Sequence, residues 1–244
     1  EVVLLLVGAP LLYRIFLWPV RSRIRYCPPS ADDRFLAAAY EAFSKEFPSS
    51  ELASERALLA ARAHSKDGDP EKAGVIFRSI ADGRPEKPEA EAALVSLGEC
   101  LLEERKFEEA RARFQSFLER YPGSSFAYRA RFGDAWADEN LGRIDEAVEK
   151  YKQVVKETKT ATAARAQFQL GQCLVARKDY KNAIVEFLQV PAAYGYPEWT
   201  SKALLQAAGC FEALEDPANA RKYYSEVASA YPDRDEAKLA TERI

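Results

Sequence analysis

The chain has 244 residues, 48% hydrophobic and 30% charged, with a formal net charge of −3. Four arginines against one glutamate give residues 1–26 a net of +3, so the remainder carries −6. That balance argues against nucleic-acid binding by the main body, which would need a basic face. The only histidine, His64, and the absence of any CxxC pair among the four cysteines argue against a zinc site. No methionine is present, so Glu1 is not an initiator and the chain is expected to begin inside a longer precursor.

Residues 2–20, VVLLLVGAPLLYRIFLWPV, contain one charge, Arg14. As a helix they would span about 28 Å, close to the ~30 Å hydrocarbon core. Val2, Leu4, Leu11, Phe16, Leu17 and Trp18 are the expected anchor residues. Trp18 and Tyr26 beside Arg21, Arg23 and Arg25 form the aromatic and basic edge of a membrane surface. Pro10 kinks such a helix, and Arg14 costs about 2.5–3.5 kcal/mol at the bilayer centre. The bases follow the apolar core, unlike the order in a signal peptide. Ile24, Arg25 and Tyr26 lack the small residues of a lipoprotein site before Cys27. Residues 1–26 therefore read as a retained membrane anchor, or else as a helix docked on another subunit.

Residues 27–33 read as a linker, since Pro28 and Pro29 forbid a continuous helix. Residues 34–53 carry Leu36, Tyr40, Phe43 and Phe47 before Pro48, the pattern of a lone second helix of a helical pair. The clearest whole unit is 91–124, EAALVSLGECLLEERKFEEARARFQSFLERYPGS. Leu94, Leu97, Gly98 and Leu101 mark its first helix, and Ala110, Phe114 and Pro122 its second helix and exit. Gly98 and Ala110 are expected to face each other where the helices cross. Similar units begin near 54, 91, 126, 164 and 201, and residues 235–244 begin a capping helix. In the third unit, Phe132-Gly133 take the place of Leu97-Gly98, which makes the first helix two residues longer. The exit of the fourth, from Val190 through Pro191 to Pro197, reads as irregular.

This spacing resembles the tetratricopeptide repeat (TPR), two antiparallel helices in about 34 residues. The resemblance implies an all-α, right-handed solenoid that binds proteins. The endings Phe47-Pro48, Tyr121-Pro122 and Tyr231-Pro232 are similar to those of bacterial envelope TPR proteins, such as the Tol–Pal-associated periplasmic protein and the outer-membrane assembly lipoprotein. That resemblance implies a membrane-anchored envelope location. It favours a periplasmic repeat domain, whereas the arginines after the apolar segment favour a cytoplasmic one.

In TPR arrays, positions 2, 5, 9 and 12 of each repeat look into the concave groove. Those that clamp chaperone carboxylates use Lys at position 5 and Asn at position 9. Here position 5 is Leu58, Val95, Ala130, Phe168 and Leu205, and position 9 is Arg62, Glu99, Asp134, Gln172 and Gly209, so that clamp is absent. Cys100, Cys173 and Cys210 all fall at position 10, a small buried site, and His64 falls at the core edge. No nucleotide loop, nucleophile elbow or metalloprotease motif occurs. No catalysis, cofactor, metal or small-molecule substrate is expected.

The expected groove site is Arg165, Phe168, Gln172, Val175 and Leu205, with Phe168 as an aromatic anchor outside the core. The reading is a protein-binding scaffold tethered to a membrane. Its rivals are an accessory subunit of a membrane complex and a soluble adaptor.

Overall fold

The computed structural model describes residues 33–47, 50, 52–83 and 88–244. The expected anchor at 1–26 and the linker up to residue 32 lie outside the described residues. Among the described residues there are twelve α-helices and no strand. None of these helices is long and apolar enough to cross a membrane. The chain divides into two compact units, residues 1–104 and 105–244.

The first unit holds α1 (Asp33–Glu46), α2 (Ala53–Lys66), α3 (Pro70–Gly83) and α4 (Pro88–Glu103). Each packs on the next, and α2 also touches α4. Ala60, Ala61, Ala73 and Phe77 are buried at the crossing of α2 and α3. Small residues let the helix backbones approach, and the phenyl ring fills the space beside them. His64 is more than a packing residue: its Nε2 lies 2.6 Å from Glu41 Oε1 and joins α2 to α1. Leu58, Ala92, Val95 and Leu102, expected on the groove by their positions, are buried.

The second unit holds α5 (Phe107–Arg120), α6 (Ala127–Asn140), α7 (Ile144–Glu157), α8 (Ala161–Ala176), α9 (Tyr180–Ala193), α10 (Pro197–Ala213), α11 (Pro217–Ala230) and α12 (Asp235–Thr241). Consecutive helices pack together, and α12 closes the end by packing on α11 and α10. Gly98 on α4 and Ala110 on α5, expected to meet, belong to different units.

The second helices repeat one packing code: Ala at one site, an aromatic four residues later and an aliphatic or Phe three beyond that. Ala147, Tyr151 and Val154 are fully buried, as are Ala183, Phe187 and Val190. The i, i+4, i+7 spacing puts all three on one helical stripe. Gly171 stands where α8 meets the Phe187 ring: a Cβ there would come within 2.8 Å of three ring atoms. The small residue at position 8 thus admits the aromatic of its own second helix.

Left-handed turn residues mark the frame of every repeat. Gly68, Arg105, Gly142, Lys178 and Glu215 all have φ between 59° and 82°. Such turns close by a hydrogen bond from the following residue to the helix, as from Arg143 N to Asp138 O at 2.8 Å and from Asp179 N to Leu174 O at 2.9 Å. Counting from these turns, the third repeat's frame starts near 128, two residues later than the Phe132-Gly133 pair suggests. Ala135, fully buried against Tyr151, takes position 8. Gly133 instead makes room for the preceding helix, since a Cβ there would lie within 2.7 Å of three ring atoms of Phe114 on α5. The first helix is accordingly no longer than its neighbours, at 14 residues.

The exit of the fourth repeat is also more regular than its prolines suggest. Helix α9 runs through Pro191 to Ala193, and Tyr194 N still donates to Val190 O at 3.0 Å. A proline in the last turn removes one hydrogen bond without ending the helix there.

A buried charge network fixes α6 between α5 and α7. Asp134 and Asp138, one turn apart, are almost wholly buried. Arg111 Nε approaches Asp138 Oδ1 at 2.9 Å, and Lys150 Nζ lies 2.6 Å from Asp134 Oδ2 and also bonds Asp138. Arg143 adds a contact at 3.5 Å to Asp138 and one at 2.8 Å to Glu108. Burial pushes the Asp134 carboxyl above its usual range, and Lys150 opposes this. Asp134 is therefore part of the packing between helices, not of the groove.

Candidate partner-binding face

In the second unit, α6 touches α8 and α8 touches α10, whereas α7, α9 and α11 do not touch one another. The unit therefore curves toward its first helices, which line its concave side. With the frame set by the turns, position 5 carries Phe132, Phe168 and Leu205 in successive repeats. Phe132 lies 5.5 Å from Tyr151, and Phe168 lies 5.5 Å from Phe187, each ring on the aromatic of its own second helix. Position 2 carries Arg129, Arg165 and Lys202, and position 9 carries Trp136, Gln172 and Gly209.

The cations rest on aromatic rings. The Arg165 guanidinium lies 4.0 Å from the Trp136 ring centre, 4.9 Å from Phe132 and 5.7 Å from Trp199. Lys202 Nζ is 4.7 Å from Trp199, and Arg129 is 5.7 Å from Phe126. Each such contact contributes about 0.5–1 kcal/mol at an accessible site. Together they link α6, α8 and α10 across three repeats.

Arg165, Phe168, Gln172, Val175 and Leu205 are all half-buried on α8 and α10. Phe168 is not separate from the core, as its position suggests, but packs on Phe187 and, at 5.8 Å, on Trp199. Val175 packs beside the same core cluster, and Leu205 beside the cluster of Leu204, Tyr224 and Val227. The carboxylates at position 12 are held by the chain itself. Glu139 accepts from Tyr151 Oη at 2.6 Å and from Gln169 Nε2 at 2.9 Å. Glu212 accepts from Tyr224 Oη at 2.8 Å and from Arg243 at 3.3 Å. Lys202 donates to Glu198 at 2.9 Å and holds that carboxyl below its usual range.

A tetratricopeptide repeat model matches residues 58–125, 96–162 and 132–197, and a second matches 202–234. The chain belongs to the tetratricopeptide repeat family. Among curated proteins, none matches its sequence. Several TPR structures share the fold. PilW, described as a widely conserved type IV pilus biogenesis factor, is 16% identical with a TM-score of 0.70, covering 96% of this chain and 100% of its own. PilF of Pseudomonas aeruginosa is 14% identical with a TM-score of 0.60, covering 88% and 100%. YrrB, described as a TPR protein with an unusual peptide-binding site, is 18% identical with a TM-score of 0.56, covering 83% and 99%. At such identities the likeness establishes the TPR fold alone.

Sequence reasoning places Arg165, Phe168, Gln172, Val175 and Leu205 on this TPR face, and it misses Phe132, Trp136, Arg129 and Trp199. The first three are hidden by the two-residue displacement of the third frame. Trp199 lies ahead of position 1, in a stretch that reads as a loop but forms the first turn of α10 after Pro197. A signal for it exists in the sequence: Phe126 and Arg129, three residues apart, repeat as Trp199 and Lys202.

Proposed function

We propose that this protein is a non-enzymatic scaffold that binds a protein partner on the concave face of its third to fifth repeats and is tethered to a membrane by residues 2–20. The observation that carries the binding site is the row of Trp136, Arg165, Phe168 and Trp199, half-buried across three adjoining first helices, with Phe132 buried beneath the Arg165 guanidinium. Aromatic and arginine side chains held rigidly on a concave surface supply contact area at a low cost in side-chain entropy. YrrB, a TPR protein with an unusual peptide-binding site, supports the same use of the fold. The apolar composition of residues 2–20 supports the tether. The Tyr-Pro endings support the bacterial envelope, with the repeats on the periplasmic side.

A photo-reactive amino acid at Gln172 on α8 tests the site in native membranes, with one at Glu149 on α7 as the control. The reading requires a discrete adduct from position 172 that position 149 does not give. Adducts from 149 alone would place binding on the second helices and refute it. Alkaline carbonate washing tests the tether: a chain retained with the membranes supports it, and a released chain refutes it.

A further inference from the structure

We propose that Gly209 on α10 leaves an open subsite in the fifth repeat that receives one bulky, uncharged apolar side chain of the partner. The inference rests on the reading that the concave face binds a protein. It names what the fifth repeat selects.

Glycine is, after proline, the least favourable residue in a helix interior, because it gives up the most backbone freedom. Gly133 and Gly171, the other glycines inside helices of the second unit, are required by the fold, since a Cβ at either would collide with a phenyl ring. Gly209 is not. It lies inside α10, and among the described residues a Cβ there would come within 4 Å only of Tyr224 Oη, at 3.8 Å, an ordinary contact. Nor does the repeat demand a small residue at this place. The same position 9 carries Trp136 in the third repeat and Gln172 in the fourth, both half-buried. Packing within the chain therefore gives no reason for the glycine. Close approach of a group from outside the chain gives one.

The surroundings decide the chemistry of that group. Leu205, Gly209 and Glu212 lie on one stripe of α10. Leu205, one turn before the glycine, is half-buried beside the cluster of Leu204, Ala208 and Tyr224. On the side of α8, Val175 joins the cluster of Ala207 and Cys210, two residues before the glycine and one after it. The charges of the stripe are already engaged. Glu212 accepts from Tyr224 Oη at 2.8 Å and from Arg243 at 3.3 Å, and Lys202 pairs with Glu198 at 2.9 Å. A charged side chain entering here would give up hydration and find each counter-charge taken. An aliphatic or aromatic one would gain contact with Leu205 and Val175.

Substitutions at Gly209 in the full chain test the proposal. Gly209→Ala should raise the melting temperature by about 2–4 °C, because its methyl group favours the helix and meets no clash. The photo-reactive amino acid at position 172, used in native membranes, should nevertheless give about tenfold less adduct in that variant, and Gly209→Leu should give none. Gly123→Ala, where a Cβ is also free of contacts, should leave the yield within about twofold. Mass spectrometry of the wild-type adduct locates the partner segment. A leucine, isoleucine, phenylalanine or tryptophan should stand beside the adduct, and its change to alanine should lower the yield as Gly209→Ala does. A lowered melting temperature in Gly209→Ala would mean that the fold itself requires the glycine. An undiminished adduct in Gly209→Leu, or a segment with no bulky apolar residue at the adduct, would overturn the subsite while the partner-binding face stands. No adduct from position 172 in the wild type would refute that face and the subsite with it.

Discussion

Tyr151 donates its hydroxyl to Glu139 at 2.6 Å, and Tyr224 stands in the same relation to Glu212 at 2.8 Å. Both pairs are twelve residues apart and run from a second helix to the first helix of the same repeat. In the fourth repeat Phe187 replaces the tyrosine, and Val175 replaces the glutamate. A buried phenol finds an acceptor where the first helix supplies one, and a phenyl ring is used where it does not. Tyr151→Phe should cost about 1 kcal/mol in urea unfolding, and a cycle with Glu139→Leu should show coupling of about 1 kcal/mol. Additive effects would mean that the bond contributes nothing to stability.

The frame of the third repeat predicts which change can rescue which. Gly133→Ala should destabilise by about 1–3 kcal/mol, because its methyl group meets the Phe114 ring. Adding Phe114→Leu should recover part of that loss, measured by thermal unfolding. Recovery from Tyr151→Leu instead would restore the frame that starts at 126.

Lys178 and Glu215 hold φ of 60° and 59°, a region that costs a side chain about 1–2 kcal/mol. Lys178→Gly and Glu215→Gly should each raise stability by about 0.5–1 kcal/mol, the rest being lost to the freer unfolded chain. A lowered melting temperature in both would contradict the turn assignment.

The repeat architecture was legible because packing needs the same residue sizes at the same sites in every unit. Ala110, Ala147, Ala183 and Ala220 declare themselves, as do the aromatics four residues beyond each. The frame of the third repeat was not legible, because a glycine can be required by the preceding helix as well as by its own partner. Gly133 makes room for Phe114, whereas Gly171 makes room for Phe187, and the two look alike in the sequence. Two residues of displacement then exchange Phe132 and Trp136 for Ala130 and Asp134 on the concave face. On the candidate face, the frames of α8 and α10 are legible in the sequence and that of α6 is not.

The buried thiols should make stability fall at alkaline pH. Burial pushes Cys173 from 9.0 to about 12 and Cys210 to about 11, and it raises Tyr224 to about 12, with the Glu212 hydrogen bond adding to the rise. Above pH 9 the unfolded chain releases these protons while the folded chain keeps them. The unfolded state then binds fewer protons, so stability is intact below that pH and falls as pH rises toward 12. Urea midpoints measured across this range should decline, and Cys173→Ala with Cys210→Ala should flatten the decline. Both thiols should resist disulfide reagents until the chain unfolds.

If the first helices of the third to fifth repeats form the partner surface, a partner must shield their aromatic side chains. Hydroxyl-radical footprinting of the protein in its native complex, compared with the protein alone, measures that shielding most directly. Trp136, Phe168 and Trp199 should lose modification on complex formation, while Tyr180 on α9 and Tyr223 on α11 keep theirs. Protection of Tyr180 and Tyr223 with Trp136 and Trp199 unchanged would contradict the assignment of the surface.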